Sequence, residues 1–457
     1  MTATDAVAAP ARLTLGFDAD GPLLSPAASV VDPWLRRATS DGAQIVRLPI
    51  LWSAVAPRVR PRGFRAADPG SPGYNWSSVD GTVRSLSSAG SQVLLFVFGA
   101  PRWAEGPGQP PGTTPGSWRP DPRQLGLFAR AAALRYSGRY HDPALPGKAL
   151  PRVRYWEAWN EPNLSIFLSP QWTRSSGGYA PASPILYRRM LNAFYASVKH
   201  VNRTDVVIAG GTAPFGDPPG GARMPPVSFW QQLLCLQGAA LQGVACDRAH
   251  FDVVDHHPYD IAGPLVPALD PGDVSIPDMG KLTRLLRAAV SAHTILPSGP
   301  KAVWATEIGW TSRPPDPLGV PLMQQAHWLE EALHVLWTEG VSTVLWIQLS
   351  DQTSRITPAA LEDGVYFANG RPKPAATAFR FPFVTTREGG TARILAWGRA
   401  PVAGKLLIEA RAGGRWTVVR RASVRRLQVF SLTIDSPGRA TLRAKIGTRS
   451  SLTWDQS

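Results

Sequence analysis

The stretch "WSSVDGTVRSLSSAGSQVLLFVFG", residues 76–99, decides the fold because it joins two patterns of different period. Its first part, up to Gly90, has apolar residues at helical spacing, and a glycine commonly follows the last turn of a helix. Its second part, 91–99, is an apolar run, which is typical of a parallel strand covered on both faces. The stretch therefore predicts a helix followed by a buried parallel strand.

The same alternation of strand and helix runs through most of the chain. Strand patterns lie at residues 12–17, 43–50, 91–99, 152–160, 205–211, 251–257, 301–307 and 341–349. Helical patterns lie at residues 34–40, 76–90, 122–139, 184–202, 227–242, 278–295, 321–339 and 373–380. Eight such units predict an α/β fold, a (β/α)8 TIM barrel. An open doubly wound sheet is the alternative, but "GFDADGP" after the first strand lacks its glycine-rich phosphate turn.

The texture of the sequence changes after the last helical pattern. Helical periodicity stops, and short strand-like runs alternate with Gly and Pro turns to the end of the chain. This pattern is typical of a small antiparallel β-sandwich. The sequence therefore predicts two domains, a catalytic barrel over residues 1–383 and a β-sandwich over residues 384–457.

The positive charge of the chain is concentrated in the second of these domains. The formal net charge is +15, and residues 384–457 hold 14 Lys and Arg against 4 Asp and Glu, so +10 lies there and +5 in residues 1–383. A solvated basic surface is the simplest interpretation. The alternative is contact with an anionic glycan or a cell surface. The basic residues are scattered rather than clustered in a run, so no nucleic acid is expected as a partner.

The sequence gives mixed signals about location. There is no run of about 20 apolar residues that could span a bilayer, and no signal peptide is recognisable at the start of the sequence. A secreted protein is expected, with a cytoplasmic one as the alternative. Cys235 and Cys246 would form a disulfide in an exported protein and would be two small buried residues in a cytosolic one. Two cysteines without a companion cluster of ligands predict no metal.

Two glutamates lie close together in "YWEAWNEPN", residues 155–163. The period of two in a strand places Tyr155, Glu157, Trp159 and Glu161 on one face, toward the inside of the barrel. Glu157 is mid-strand and predicts a buried structural carboxylate, with Arg47 as its partner. Glu161 is at the strand's carboxyl end, where barrels of this kind perform chemistry.

A third glutamate, Glu307, ends the seventh strand in "VWATEIGW", residues 303–310. The fourth and seventh strands lie nearly opposite each other in an eight-stranded barrel. Two carboxylates that face each other across a barrel mouth are the minimal machinery for glycoside hydrolysis. The pair Glu161 and Glu307 therefore predicts a glycosidase.

The motifs around these glutamates resemble a known group of enzymes. "WNEPN" (159–163) and "TEIGW" (306–310) are similar to the acid/base and nucleophile motifs of the retaining (β/α)8 glycoside hydrolases of clan A, most of all families 39 and 5. The likeness extends over residues 12–383. It implies Glu161 as general acid/base, Glu307 as nucleophile, and double displacement without a metal or cofactor.

The resemblance also implies a set of substrate-binding residues. Asn160 would bond the sugar 2-hydroxyl, His257 and Tyr259 would line the site, Arg47 would orient Glu307, and Trp346 would form the floor under the reacting sugar. The long Pro- and Gly-rich loops match no subfamily, so the sugar and the choice of exo or endo action stay open.

Aromatic residues in the loops add candidates of a different kind. Sugar rings stack on aromatic faces, and Trp103, Trp118 and Trp172 follow strand ends, so they are candidate platforms. Trp397 and Trp416 in the sandwich fit core packing, with a glycan platform as the alternative. The substrate would be an oligosaccharide, a polysaccharide or a simple glycoside. A transglycosylase and a non-catalytic glycan-binding protein on the same scaffold are the competing functions.

Overall fold

The computed structural model describes residues 9–25, 27–352, 362–387, 393–435 and 440–456. Within these ranges, eight parallel strands close a barrel in which neighbours in space follow the order of the sequence. The predicted (β/α)8 barrel is thereby confirmed. The strands are β1 (Thr14–Asp18), β2 (Ile45–Leu51), β3 (Gln92–Phe98), β4 (Tyr155–Ala158), β5 (Val206–Thr212), β6 (Val253–His256), β7 (Ala302–Ile308) and β8 (Val341–Trp346).

Helices surround the barrel as the sequence pattern predicts. The main ones in the described ranges are α1 (Ala28–Ser40), α2 (Ser77–Ser88), α3 (Pro122–Arg135), α4 (Ser183–Val201), α5 (Pro226–Leu233), α6 (Gly280–Ser291), α7 (Leu322–Thr338) and α8 (Pro374–Arg380). None of the helices in these ranges is long and apolar enough to cross a bilayer.

The helix predicted at 227–242 is shorter in the structure. It ends at Leu233, and residues 236–237 pair with residues 242–243 as an antiparallel hairpin. Cys235, at a φ of 55°, leaves the helical conformation and forms a disulfide with Cys246 across the base of this hairpin. The disulfide that the sequence left open is therefore present, and apolar spacing alone could not reveal the turn.

The inside of the barrel has an apolar layer and, above it, a charged layer. Ile45, Leu94, Val253 and other apolar side chains pack into one inner cluster. Two residues further along their strands, Arg47 and Asp255 are fully buried. Since inward positions recur every two residues, these charged side chains form the next layer inside the barrel. That layer lies nearer the carboxyl ends of the strands, where the mouth opens.

The C-terminal part is a pair of antiparallel sheets with a core of its own. One sheet has the order β9-β10-β13, and the other has the order β12-β11-β14-β15, with β16 also paired to β14. These strands are β9 (Phe383–Arg387), β10 (Arg393–Arg399), β11 (Gly404–Ala412), β12 (Arg415–Val424), β13 (Val429–Asp435), β14 (Thr441–Ile446), β15 (Arg449–Ser450) and β16 (Trp454–Asp455). The predicted antiparallel sandwich is confirmed.

The sandwich packs directly on the barrel. Val384 and Trp397 belong to the barrel's core cluster rather than to the cluster between the two sheets. Arg399, fully buried, donates to the backbone oxygens of Leu13 and Gly42. Trp397 is fully buried in this contact, which fits core packing and excludes it as a glycan platform.

Candidate active site

The segment that carries Glu161 leaves regular strand geometry just before that residue. Glu157 points into the barrel, while Trp156 and Ala158 lie in the outer core. Trp159 also lies in the outer core, with φ of 77°, and its indole N–H donates to the oxygen of Phe167 at 2.8 Å. The prediction that Trp159 shares the inner face is therefore wrong, because a left-handed residue interrupts the alternation of the strand.

The neighbouring strand β5 makes this interruption possible. The Tyr187 hydroxyl donates to the Ala158 oxygen at 2.5 Å and accepts from the Gly210 N–H at 2.5 Å. A Cβ at Gly210 would lie 2.8 Å from the Ala158 oxygen, and one at Gly211 would collide with the His257 ring. Only glycine allows such close approach, so the pair in "DVVIAGG" was the signal in the sequence.

Asn163 holds the other side of the Glu161 segment, a role that sequence reasoning missed. Its side chain accepts from the Ala213 N–H at 2.8 Å and donates to the oxygens of Ala213 and Met224 at 3.0 Å. The side chain is fully buried. Glu161 itself has a φ of 36°, and its N–H donates to the Gly211 oxygen at 2.9 Å. Backbone strain of this kind is concentrated at functional sites.

Arg47 is the centre of the charged layer. Its Nε and Nη2 donate to the two oxygens of Glu157 at 2.6 and 3.1 Å, and Nη2 also donates to Asn160 Oδ1 at 2.7 Å. Its Nη1 donates to Glu307 at 2.6 Å and to Asp18 at 3.2 Å. One guanidinium, with its five fixed donors, thus contacts the structural and the candidate catalytic carboxylates together, as the sequence predicted for this arginine.

Glu307 is ionised readily despite being enclosed. Burial alone would raise its pKa, but the positive charges of His257 and Arg47 and the hydrogen bonds from Arg47 and Tyr259 outweigh burial, so the pKa lies below its usual value. The Tyr259 hydroxyl donates to Glu307 Oε2 at 3.0 Å. The side chain is 14% exposed, so a small ligand can reach it.

Glu161 has the opposite tendency. Burial raises its pKa, and the hydrogen bond and charge of His257 offset that effect only in part. Its side chain is 13% exposed. One oxygen of Glu161 and one of Glu307 lie within 4.8 Å of each other, and a nitrogen of His257 lies within the same distance of both. The site thus holds two neighbouring carboxyl groups whose pKa values are shifted in opposite directions.

His257 lies between the two carboxylates and is fully buried. Its Nδ1 is 3.0 Å from Glu161 Oε1 and 3.5 Å from Glu307 Oε2. Its Nε2 is 3.2 Å from Thr306 Oγ1 and 3.5 Å from Asp255 Oδ2. Burial would lower the pKa of His257, but Glu307, Asp255 and Glu161 together raise it well above its usual value. Both ring nitrogens face oxygens that can accept a hydrogen bond, and this geometry favours a doubly protonated imidazolium.

Among the residues that the structure describes, two trios of side chains have a spacing that could offer ligands to a cation. They are Glu161, His257, Glu307 and Glu157, Asp255, His257. Arg47 contacts a carboxylate in each trio, and its permanent charge would repel a cation at either place. The metal-free site therefore stays the prediction.

Trp346 is wrongly predicted as the floor of the site. Its side chain is 1% exposed, and its indole N–H donates to the Asp363 oxygen at 2.6 Å. Its neighbour Leu345 belongs to the inner cluster, so Trp346 faces outward and packs near Trp310, with ring centres 5.9 Å apart. A ring this enclosed offers no face to a sugar.

The three loop tryptophans are more enclosed than a sugar platform on an open groove would be. Trp118 is 7% exposed, and its indole donates to the Pro107 oxygen, so its prediction as a platform is wrong. Trp103 is half-buried against Trp52, and its indole donates to the Pro57 oxygen. Trp172 is half-buried at the edge of the core. Contact of these two residues with substrate stays a prediction.

Asp18 is an addition to the site from strand β1. Its Oδ2 accepts from Arg47, whereas its Oδ1 is buried without a hydrogen-bond partner among the described residues. Burial raises its pKa well above the usual value. Asp20, not Asp18, caps the following turn through the Gly21 N–H. The Asp18 side chain is 14% exposed, so it is the group on β1 that a ligand at the mouth could reach.

Comparisons with known proteins identify the fold. No protein-family model matches the chain, and no curated protein does. A family 39 glycoside hydrolase from the gut symbiont Bacteroides cellulosilyticus WH2 has a TM-score of 0.57 at 18% identity, over 93% of this chain and 81% of that chain. A family 39 β-xylosidase from Caulobacter crescentus has a TM-score of 0.53 at 16% identity, over 94% of this chain and 98% of that chain. A glucosidase from Croceicoccus marinus has a TM-score of 0.53 at 11% identity, over 94% of each chain. The predicted likeness to family 39 of clan A is confirmed at the level of the fold.

Proposed function

We propose that the protein is a retaining glycoside hydrolase in which Glu307 is the nucleophile and Glu161 the general acid/base. One observation carries the proposal: two carboxyl groups face each other within 4.8 Å, and their pKa values are shifted in opposite directions. Pairs of titratable groups that their surroundings push apart in pKa are the usual sign of an acid and a nucleophile working together. The shared fold of the glycosidases above agrees with this assignment.

The spacing of the carboxyl groups favours retention over inversion. Retaining enzymes hold the two groups about 5–5.5 Å apart, and inverting ones about 6.5–9.5 Å apart, because a water must fit beside the sugar. The oxygens of Glu161 and Glu307 come within 4.8 Å. A separation this short favours the retaining arrangement, in which the nucleophile would be Glu307 itself.

The surroundings of each group fit its proposed step. Glu307, kept ionised by Arg47 and His257, would attack the anomeric carbon while protonated Glu161 transfers its proton to the departing oxygen. Glu161, now ionised, would then deprotonate the water that releases the sugar from Glu307. Imidazolium His257, within hydrogen-bond reach of Glu161, would stabilise the carboxylate formed after the first step.

Asn160 and Asp18 would position the sugar. Asn160 Oδ1 accepts from Arg47, so its Nδ2–H group is the part left to donate to a hydroxyl of the substrate. Asp18, whose side chain is 14% exposed, would accept from or donate to another hydroxyl. A site with several carboxyl groups and hydrogen-bond donors can bind sugar hydroxyls, so it fits an oligosaccharide, a polysaccharide or a glycoside as substrate.

We also propose that the protein works outside the cytoplasm. Disulfides form and persist in oxidising compartments, and Cys235–Cys246 is such a bond. An extracytoplasmic glycan would then be the natural substrate.

The test is a product analysis with a panel of aryl glycosides and polysaccharides, followed by NMR of the first-formed anomer. Release of sugar with retained configuration is expected, together with loss of activity in Glu307→Ala and rescue of Glu161→Ala by azide. Products longer than the substrate would favour a transglycosylase. Full activity of Glu307→Ala on a confirmed substrate would refute the assignment.

A further inference from the structure

The outer face of the larger sandwich sheet has a composition that the barrel's chemistry does not explain. In β11, Leu406, Ile408 and Ala410 are buried in the core between the two sheets. By alternation, Lys405 and Arg411 lie on the opposite, solvent-facing side, and both are exposed. Residues paired directly across a sheet share a face, so the strand register defines the rest of this side.

Cations dominate the outer face. Leu407 pairs with Arg421 of β12 and with Lys445 of β14, and Glu409 pairs with Arg443. We call the following five residues the basic face: Lys405, Arg411, Arg421, Arg443 and Lys445. The described registers place two carboxylates among them. Arg443 holds Glu409 at 2.7 Å, and Asp455 pairs with Thr441 and accepts from its hydroxyl at 2.7 Å.

Trp416 makes part of the basic face rigid. It pairs with Arg411 across the sheet, and its ring lies 5.2 Å from the guanidinium carbon of Arg411 and 3.9 Å from that of Arg443. Cation–π contacts of this kind hold the planar guanidinium over the ring. The ring is thereby covered and is no sugar platform. Arg443 already binds Glu409 through Nε and Nη2, so Arg411 is the guanidinium of this pair that is left to meet an anion.

The dimensions of the basic face suit an extended ligand. From Lys405 to Arg411 the strand advances about 20 Å, and three neighbouring strands span about 10 Å. The cations are therefore spread along a strip and do not surround a pocket. The whole part from residue 384 to 457 has a net charge of +10, so the field around the strip is positive as well.

We propose that the basic face binds an acidic polysaccharide, one with a carboxylate on its sugar units. This goes beyond the proposed function and does not depend on catalysis. Arginine pairs with carboxylates through two parallel hydrogen bonds, and a chain with at most one charge per sugar matches widely spaced cations. Duplex DNA has one charge per about 1.7 Å of axis, and single strands are held by stacking on open aromatic rings, which the covered Trp416 does not provide.

The experiment uses the full chain and polygalacturonate as the probe, with dextran as the uncharged control, in affinity electrophoresis at 50 mM and 300 mM NaCl. The face variant combines Lys405→Gln, Arg421→Gln and Lys445→Gln. The control variant removes three exposed charges from barrel helices, Arg36→Gln, Arg130→Gln and Arg284→Gln, so both have the same net charge. Thermal melting establishes that both are folded.

The proposal predicts that polygalacturonate retards the parent protein at low salt and that dextran does not. The face variant should bind polygalacturonate about tenfold more weakly than the parent, and the control variant should bind it as the parent does. Equal losses of affinity in both variants would mean that net charge alone causes the binding, and would overturn the proposal. Absence of retardation, or tighter binding of a DNA duplex or of phosphatidylglycerol vesicles at the same salt, would overturn it too. Glu307→Ala should bind as the parent does, so this outcome is separate from the test of the glycosidase.

Discussion

Replacement of Asp255 by asparagine tests how the protein keeps its nucleophile ionised. Asp255 is fully buried, accepts from the Thr306 N–H at 3.1 Å and from the Thr306 hydroxyl, and lies 3.5 Å from His257 Nε2. It touches neither Glu161 nor Glu307 in the described contacts. Its effect on the reaction must therefore pass through the charge of His257.

The magnitude follows from the distances. Two unit charges 3.5 Å apart at an effective dielectric constant of 20 attract by about 5 kcal/mol, which is an upper limit for this pair. If Asp255→Asn removes a third of this attraction, the pKa of His257 falls by about one unit, since one unit corresponds to about 1.4 kcal/mol. Because the pKa of His257 starts well above its usual value, the ring of the variant still carries its proton in acid and loses it at a lower pH than the ring of the parent. Where the ring is neutral, Glu161 and Glu307 lack a positive charge 3.0 and 3.5 Å away.

The assay is the pH profile of kcat/KM. Its acidic limb reports ionisation of the nucleophile in the free enzyme, and the ring of His257 is protonated there in both proteins. In Asp255→Asn the basic limb should move down by about one pH unit, so that activity is lost toward higher pH while the acidic limb stays in place. Thr306→Val is the matched control, because it removes hydrogen bonds from the same place but no charge. A folded Asp255→Asn enzyme with an unmoved basic limb would refute the role given to imidazolium His257.

Three further changes test other parts of the structure. Arg47→Met leaves buried carboxylates without their cation, so the free energy of unfolding should fall by about 3–5 kcal/mol at pH 7. The loss should be smaller at pH 5, where the carboxylates can protonate. Equal losses in denaturant titrations at both pH values would contradict the role of Arg47 as their counter-charge. The double variant Cys235→Ser/Cys246→Ser opens a short loop and should lower the free energy of unfolding by up to about 3 kcal/mol with kcat/KM unchanged; a large loss of activity would show that the hairpin supports the site. Burial raises the pKa of Glu330 to about 7, so this group favours the fold while protonated and that advantage is lost as pH rises from about 4.5 to 7. Glu330→Gln should therefore melt like the parent near pH 4.5 and higher than the parent at pH 8, and a variant that melts lower at pH 8 would contradict the direction of this pKa shift.

The sequence predicted the barrel because its information is periodic. Apolar strands and amphipathic helices repeat eight times, and the motifs around Glu161 and Glu307 fall at strand ends. Arg47 could be paired with Glu157 because a buried carboxylate needs a cation. These inferences depend on spacing and on the cost of burying charge, both of which a sequence displays.

Trp346 and Trp159 show where such reasoning stops. In β8 the residues Val344, Leu345 and Trp346 are all apolar, so the pattern does not reveal which alternate set points inward, and the structure places Leu345 there. Trp159 turns outward because Gly210, fifty-one residues later, lets two backbones approach. Neither fact is local to the segment that it changes. The covered ring of Trp416 likewise depends on arginines from two neighbouring strands.

The most direct test of the central claim is to trap the covalent intermediate. A panel of 2-deoxy-2-fluoro glycosides with good leaving groups would be incubated with the protein, and intact-mass and peptide mass spectrometry would locate any added sugar. We expect the mass of one fluorosugar on the peptide that contains Glu307, no label in Glu307→Gln, and slower labelling in Asp255→Asn on the basic side of its pH profile. Turnover of a matching glycoside without any label on Glu307, or a label on Glu161 instead, would contradict the assignment of the two glutamates.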